Sequence, residues 1–231
     1  MAQIPLTPPA CLSQKESCEI ISELVDLREQ VTELSELVHT DTLTGLSNFR
    51  YFIQALEQEM ERTRRTGYAT GLIMMDLDFF KKVNDDWGHD VGNQALVLAS
   101  TLIKAAVRKM DAPCRYGGEE FAIILPSTDR HNSMLVAERV REMVATTPLV
   151  FDDNELLLTA SFGIDIYTGL EAGGAEEMVK RADSYLYQAK EAGRNRVCVA
   201  PAVEKEDTSS VNQDEKDALF GLFGRAGNTN D

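Results

Sequence analysis

The sequence predicts an α/β or α+β domain in which helices pack on one mixed sheet. Three observations predict it. The run 69–75 is compact and apolar and ends in Asp76-Leu77-Asp78, as a buried strand closing on carboxylates does. Segment 114–125 holds two strand-like halves joined at Gly117-Gly118, a strong hairpin signal. Between and after them, apolar residues recur at helical spacing.

Taken in order, residues 1–13 carry Pro5, Pro8 and Pro9 and read as a disordered lead. A helix is expected over 14–40. Its apolar positions, Ile20, Leu24, Leu27, Val31, Leu34 and Val38, alternate in steps of four and three, the heptad signature of a coiled coil. An ordinary amphipathic helix lying on the domain is the alternative. The turn and cap residues of 41–48 break this periodicity, and a second helix follows over 49–65 until Gly67 ends it. After the 69–75 strand, Ala95, Leu98, Ala99, Leu102, Ile103 and Ala106 mark a helix over 90–108. The hairpin follows, then a helix over 130–145, a strand-like stretch over 156–166, a helix over 175–192 stopped by Gly193, and a short strand over 196–199. One folded domain is thus expected over 41–200, and 201–231 reads as an acidic disordered tail interrupted by an apolar knot at 218–223.

Composition narrows the function. Hydrophobic residues make up 43% of the 231, enough for a sizeable core, while the net charge is −15. So acidic a surface repels a phosphate backbone, which argues against a nucleic-acid polymer as partner but not against a single nucleotide. Cys11, Cys18, Cys114 and Cys198 show neither a CxxC pair nor zinc spacing, so a reducing compartment fits. With no signal-peptide pattern and no apolar run of about 18 residues, the expectation is a cytoplasmic protein that does not span a membrane.

The carboxylates point to chemistry. A charged pair closing a buried strand is costly unless it is solvated or bound to metal. Glu119 and Glu120 sit beside the two glycines of the hairpin. If that hairpin pairs next to the 69–75 strand, acidic groups from both converge, and hard oxygen ligands of this kind match Mg²⁺ held partly by substrate phosphates. Either pair alone reads more readily as a solvated strand end or a charged turn than as a site; together they are better explained as a two-metal phosphoryl-transfer site.

Arg115-Tyr-Gly-Gly-Glu-Glu-Phe121 resembles the signature of the GGDEF family in its Glu variant. Met75-Asp-Leu-Asp-Phe-Phe-Lys-Lys-Val-Asn-Asp85, with Trp87-Gly-His-Asp-Val-Gly-Asn93, resembles its second block. Asp41-Thr-Leu-Thr-Gly-Leu-Ser-Asn48 resembles the opening of the domain, and Arg181-Ala-Asp183 with 187–195 its close. The resemblance implies a central, mostly antiparallel sheet flanked by helices, like a nucleotidyl-cyclase or polymerase palm. It also implies a diguanylate cyclase that condenses two GTP into cyclic di-GMP and two pyrophosphates, as a homodimer.

Carried over, the family pattern gives the residues their roles. Asp76, the Leu77 carbonyl, Glu119 and Glu120 would hold two Mg²⁺ per site, with Mn²⁺ as a substitute, and Glu119 would take the proton of the attacking 3′-hydroxyl. Asn84 and Asn93 would read guanine, with His89 nearby and Phe80 as a wall. Lys81, Lys190 and Arg194 would meet the phosphates, the last two from one helix face. Family members usually carry Asp where Asn93 stands, and an amide offers one acceptor where a carboxylate offers two. Arg108 and Asp111 match the inhibitory site that binds product, with Arg139 contributing from the neighbouring domain. A regulatory protein acting on the 14–40 helix is expected, because no sensor domain is recognisable. The alternatives are a degenerate domain that only binds cyclic di-GMP or GTP, a coiled-coil adaptor, and a cyclase making a mixed purine dinucleotide.

Overall fold

The computed structural model of the chain describes residues 24–28 and 39–201. The expected lead, most of the expected stalk, the tail beyond Pro201, and with them Cys11, Cys18 and the apolar knot, lie outside the described residues. Residues 24–28 are helical, with Leu24, Val25 and Leu27 exposed. Among the described residues both cysteines are free, and no helix is long and apolar enough to cross a membrane.

The core of the fold is one six-stranded sheet. Its strands are β1 (Ser47–Asn48), β2 (Thr70–Leu77), β3 (Ala112–Gly117), β4 (Glu120–Leu125), β7 (Ala160–Tyr167) and β8 (Val197–Val199), in the order β1-β3-β4-β2-β7-β8. The four inner strands are antiparallel, and β1 and β8 join the two edges in parallel. All eight residues of β2 are buried, so the apolar run is a central strand covered on both faces. A separate small hairpin pairs β5 (Leu149–Phe151) with β6 (Asn154–Leu156).

Alternation along β2 sorts the core. Leu72 and Met74 face helices α1 (Phe49–Thr66) and α4 (Ala175–Glu191), packing with Phe52, Leu56, Met178 and Leu186. Ile73, Met75 and Leu77 face α2 (Phe80–Ala106) and α3 (Arg130–Thr146), packing with Leu96, Ile103, Ala137 and Val140. The helix ends follow local chemistry. The Asn48 side chain accepts from Tyr51 N–H at 3.1 Å to cap α1, and Asp129 accepts from Asn132 N–H at 2.8 Å to cap α3. Gly67, at φ 76°, closes α1 as expected. Gly163 lets α4 lie on β7. A Cβ there would stand 2.1 Å from the Ala182 carbonyl oxygen and 2.2 Å from the Leu186 nitrogen.

Several expectations need correction. The helix expected over 90–108 begins ten residues earlier, at Phe80, and breaks at Gly88 (φ 83°, ψ 165°) into two arms. It ends at Ala106, so Arg108 and Asp111 lie in the turn that follows. The 156–166 stretch is divided between β6 and β7. Arg194 lies past the end of α4 in a left-handed conformation (φ 63°), so Lys190 and Arg194 do not share a helix face. Phe80 is buried as expected, whereas its neighbour Phe79 is 63% exposed.

Candidate active site

Strand register decides which carboxylates meet. Asp76 lies directly opposite Glu120 across the β2–β4 ladder. Its side chain emerges on the face covered by α4, whose last turn brings Lys190 Nζ to 2.8 Å from Asp76 Oδ2. Glu119 follows Gly118 (φ 38°) at the tip of the hairpin, and its carbonyl accepts from Leu77 N–H at 3.3 Å. Burial lifts the Asp76 carboxyl above the ordinary carboxylate range against the pull of Lys190, and the charges of Glu119 and Asp78 add to it. Burial also raises Glu120, helped by Asp76, Asp183 and Glu119 and opposed by Lys190. Three acidic groups and one ammonium therefore share the end of the central strand.

This donor set fits a hard divalent cation. Among the described residues no three carboxylate, histidine or cysteine side chains form a cage by themselves. Mg²⁺ needs no such cage, since it binds through one or two carboxylates together with waters and substrate phosphates. The local demand for positive charge is visible in the Lys190 ammonium held against Asp76.

The hairpin is braced from behind. Arg115 donates through Nε and a terminal nitrogen to the Gly118 carbonyl at 3.0 and 2.9 Å, and through its other terminal nitrogen to the Asp41 carboxylate at 3.2 and 3.3 Å. Asp41 in turn accepts from the Thr44 N–H and hydroxyl at 2.9 and 2.6 Å. Burial opposes ionisation of Asp41, but Thr44 and Arg115 outweigh it and hold its carboxyl below the usual range. The opening block and the signature are thus one structural unit. Sequence reasoning gave neither residue this task, although a tight glycine turn with carbonyls to satisfy was the available signal.

The other expected residues fall into separate groups. Phe80 and Asn84 lie on the first arm of α2, facing Gly92 on the second. A Cβ at Gly92 would fall 1.9 Å from Asn84 Oδ1, so the missing side chain is the space the amide occupies. Lys81 and His89 are exposed. Asn93 is on the second arm, lining a shallow, mostly apolar groove of about 450 Å³ with Leu43, Val97, Leu98 and Leu149. That volume is in the range of small-ligand clefts. Arg194 carries its guanidinium 4.7 Å over the Phe79 ring. Arg108, Asp111 and Arg139 gather elsewhere. The Asp111 carboxylate accepts from Arg108 N–H at 2.7 Å, Arg139 donates to the Ala106 carbonyl of its own chain, and the Arg108 side chain is exposed. Burial raises the Asp111 carboxyl against the pull of Arg108 and Arg139.

A family profile described as "Diguanylate cyclase, GGDEF domain" matches residues 38–196, which take in every strand of the sheet except β8. The chain belongs to the GGDEF-domain family. This GGDEF domain is 41% identical over 173 residues to the response regulator PleD of Caulobacter vibrioides, a match covering 74% of the chain and 38% of PleD. It is 41% identical over 161 residues to the diguanylate cyclase DgcP of Pseudomonas aeruginosa, covering 70% of the chain and 24% of DgcP. The chain thus spans well under half the length of these relatives. Among solved structures it is similar to the diguanylate cyclase SiaD in complex with its activator SiaC from Pseudomonas aeruginosa, with 37% identity and a TM-score of 0.69 over 79% of this chain and 71% of that one. It is also similar to the coiled coil and GGDEF domain of DgcB from Caulobacter crescentus in complex with c-di-GMP, with 30% identity and a TM-score of 0.73 over 78% of this chain and 94% of that one.

Proposed function

We propose that this GGDEF domain is a diguanylate cyclase that condenses two GTP into cyclic di-GMP and two pyrophosphates, in the cytoplasm, where GTP is found. The observation that carries the reading is the Asp76–Glu120 pair set in register across β2 and β4 with Lys190 against Asp76, beside a glycine turn that leaves the backbone open to a bulky ligand. In this reading Asp76, Glu120, Glu119 and the Leu77 carbonyl hold two Mg²⁺, which Mn²⁺ can replace. Bound there, the ions lower the pKa of the 3′-hydroxyl and stabilise charge on the α-phosphate.

The chain's own groups do the rest. Glu119 accepts the 3′-hydroxyl proton as the new O–P bond forms and pyrophosphate leaves. Lys190, Arg194 and Lys81 bind the β- and γ-phosphate oxygens, and Asn84 and Asn93 read the guanine edge beside His89 and the Phe80 wall.

Each chain presents one GTP, so two chains must face each other, and a C2 homodimer follows. The 14–40 helix brings them together by raising effective concentration. The exposed Leu24 and Leu27 agree with an apolar stripe there awaiting a partner. A separate protein acting on that helix is the expected regulator, and the likeness to SiaD, whose structure contains its activator, supports that expectation. Product is read as binding through the exposed Arg108, with Asp111 holding the turn that presents it and Arg139 bracing the same corner.

The test is direct. Purified protein is incubated with Mg²⁺ and GTP, with and without ATP, and the products are separated. Cyclic di-GMP with two pyrophosphates per molecule is expected. A mixed purine dinucleotide would trace to the Asn93 amide and favour that alternative. Cyclic di-GMP or GTP binding without turnover would leave a binding module.

A further inference from the structure

The string Asp76-Leu77-Asp78 carries two carboxylates, but only the first faces the carboxylate–lysine cluster. Asp78 turns inward and is 5% exposed. Its Oδ1 accepts from the Ser161 hydroxyl at 2.7 Å. Its Oδ2 accepts from the Thr159 hydroxyl at 2.8 Å and from Asn195 N–H at 3.0 Å. The last bond ties the end of β2 to the loop after α4.

That loop is unusual. Gly193, Arg194 and Asn195 follow one another at φ 111°, 63° and 44°, three left-handed residues of which two carry side chains. Such a run persists only where its surroundings over-determine it. Besides Asp78, Arg194 N–H donates to the Ala189 carbonyl at 3.0 Å, and Arg141 donates to Asn195 Oδ1 at 3.1 Å. The loop is pinned on both sides of the Arg194 side chain.

Facing it is a second strained residue. Phe79 caps α2 in the left-handed region (φ 57°), a conformation costly for a bulky side chain, and is 63% exposed as a residue. Core packing does not explain an exposed aromatic there. The ring carries the Arg194 guanidinium over its face, 4.7 Å from its centroid. Stacking on a ring fixes the plane of a guanidinium while leaving its in-plane N–H fork open, and that fork matches phosphate oxygens.

We propose that Phe79 is a positioning residue, an aromatic platform that presets the Arg194 guanidinium to receive the phosphate tail of the substrate. Phe79 acts through Arg194 and touches no reacting atom. The proposal deepens the functional reading above and rests on it for the identity of the phosphate donor.

The experiment measures Mg²⁺-supported binding of GTP and, separately, of inorganic tripolyphosphate to wild type, Phe79→Leu, Phe79→Trp, Arg194→Ala and the Phe79→Leu/Arg194→Ala double variant. Phe79→Leu is expected to weaken both ligands about two- to fivefold, the worth of an exposed cation–π contact. Phe79→Trp restores binding, and Phe79→Leu costs nothing further once Arg194 is gone. A merely structural role would weaken Phe79→Trp as well and would add to Arg194→Ala. Either result overturns the proposal, as does unchanged binding in Phe79→Leu or wild type that binds neither ligand. If GTP binds no better than tripolyphosphate and yields no cyclic di-GMP, the functional reading fails, while the tripolyphosphate series still decides the platform.

Discussion

Gly92→Ala separates the site from the fold. Gly92 lies in the second arm of α2 and is not among the positive-φ glycines, so alanine fits its backbone and gains about 1 kcal/mol of helix propensity. The new Cβ would meet Asn84 Oδ1 at 1.9 Å, Asn84 Cγ at 3.0 Å and Phe80 Cζ at 3.4 Å. The first contact is untenable, and the amide must retreat by about 1 Å or more to reach van der Waals separation. A displacement of that size in a substrate-positioning group costs up to about 100-fold, or roughly 2.7 kcal/mol of transition-state stabilisation. The assay is pyrophosphate release against GTP concentration, with thermal unfolding on the same preparation. Expected are a kcat/KM lower by about 10- to 100-fold and a melting temperature within a few degrees of wild type. Combining Gly92→Ala with Asn84→Ala should cost little more than Asn84→Ala alone. A folded Gly92→Ala protein with wild-type kcat/KM would refute the placement of Asn84 against the base, and so would full additivity.

Glu120→Gln should raise stability at neutral pH while reducing turnover. Burial and neighbouring charges raise the folded-state pKa of both Glu120 and Asp76, so the native state binds these protons more tightly than the unfolded chain and loses stability as pH rises above the ordinary carboxylate range. Glu120 is only partly buried, so solvent screening keeps the gain small, and it fades toward about pH 4; urea unfolding across pH checks it, and a destabilised or pH-independent variant would contradict it. Gly163→Ala drives a Cβ into the backbone of α4 and should cost about 3 kcal/mol or more, with Gly71→Ala as the milder comparison because it meets only the Ser133 side chain first. A wild-type melting temperature for Gly163→Ala would mean that α4 does not lie on β7 as described. Arg108→Ala should raise the steady-state yield of product, and superimposable product-inhibition curves for variant and wild type would remove Arg108 from that role.

Much of the fold was legible because its signals are local. The apolar run before Asp76, the Gly117-Gly118 hairpin and the glycine stop after α1 each act through a few neighbouring residues, and each is in the structure. The convergence of carboxylates was legible as a conditional: it required the hairpin to pair beside β2, and it does. Which carboxylate faces Asp76 was not legible, since that depends on register, and a shift of one residue would have exchanged Glu120 for Glu119. The early start of α2 was missed because its first arm, bounded by a left-handed Phe79 and the break at Gly88, is too short to give a clear period. The β5–β6 hairpin was missed because Asp152-Asp153 is a weak turn signal beside Asn-Gly, although Asp152 does take a positive φ of 48°. Arg194 was placed by counting along a helix that stops three residues short of it. The inward turn of Asp78 is a tertiary matter, set by donors on β7, on the residue before it and in the loop after α4.

The central claim is that carboxylates paired across β2 and β4 hold a divalent ion against a triphosphate. Mn²⁺ binding, followed by electron paramagnetic resonance in the presence of a non-hydrolysable GTP analogue, tests it most directly. Wild type should bind Mn²⁺ far more tightly with the nucleotide than without it. Asp76→Asn should lose at least roughly tenfold in ion affinity, since even outer-shell partners of a metal site cost that much. Equal Mn²⁺ binding by a folded Asp76→Asn protein would contradict the claim.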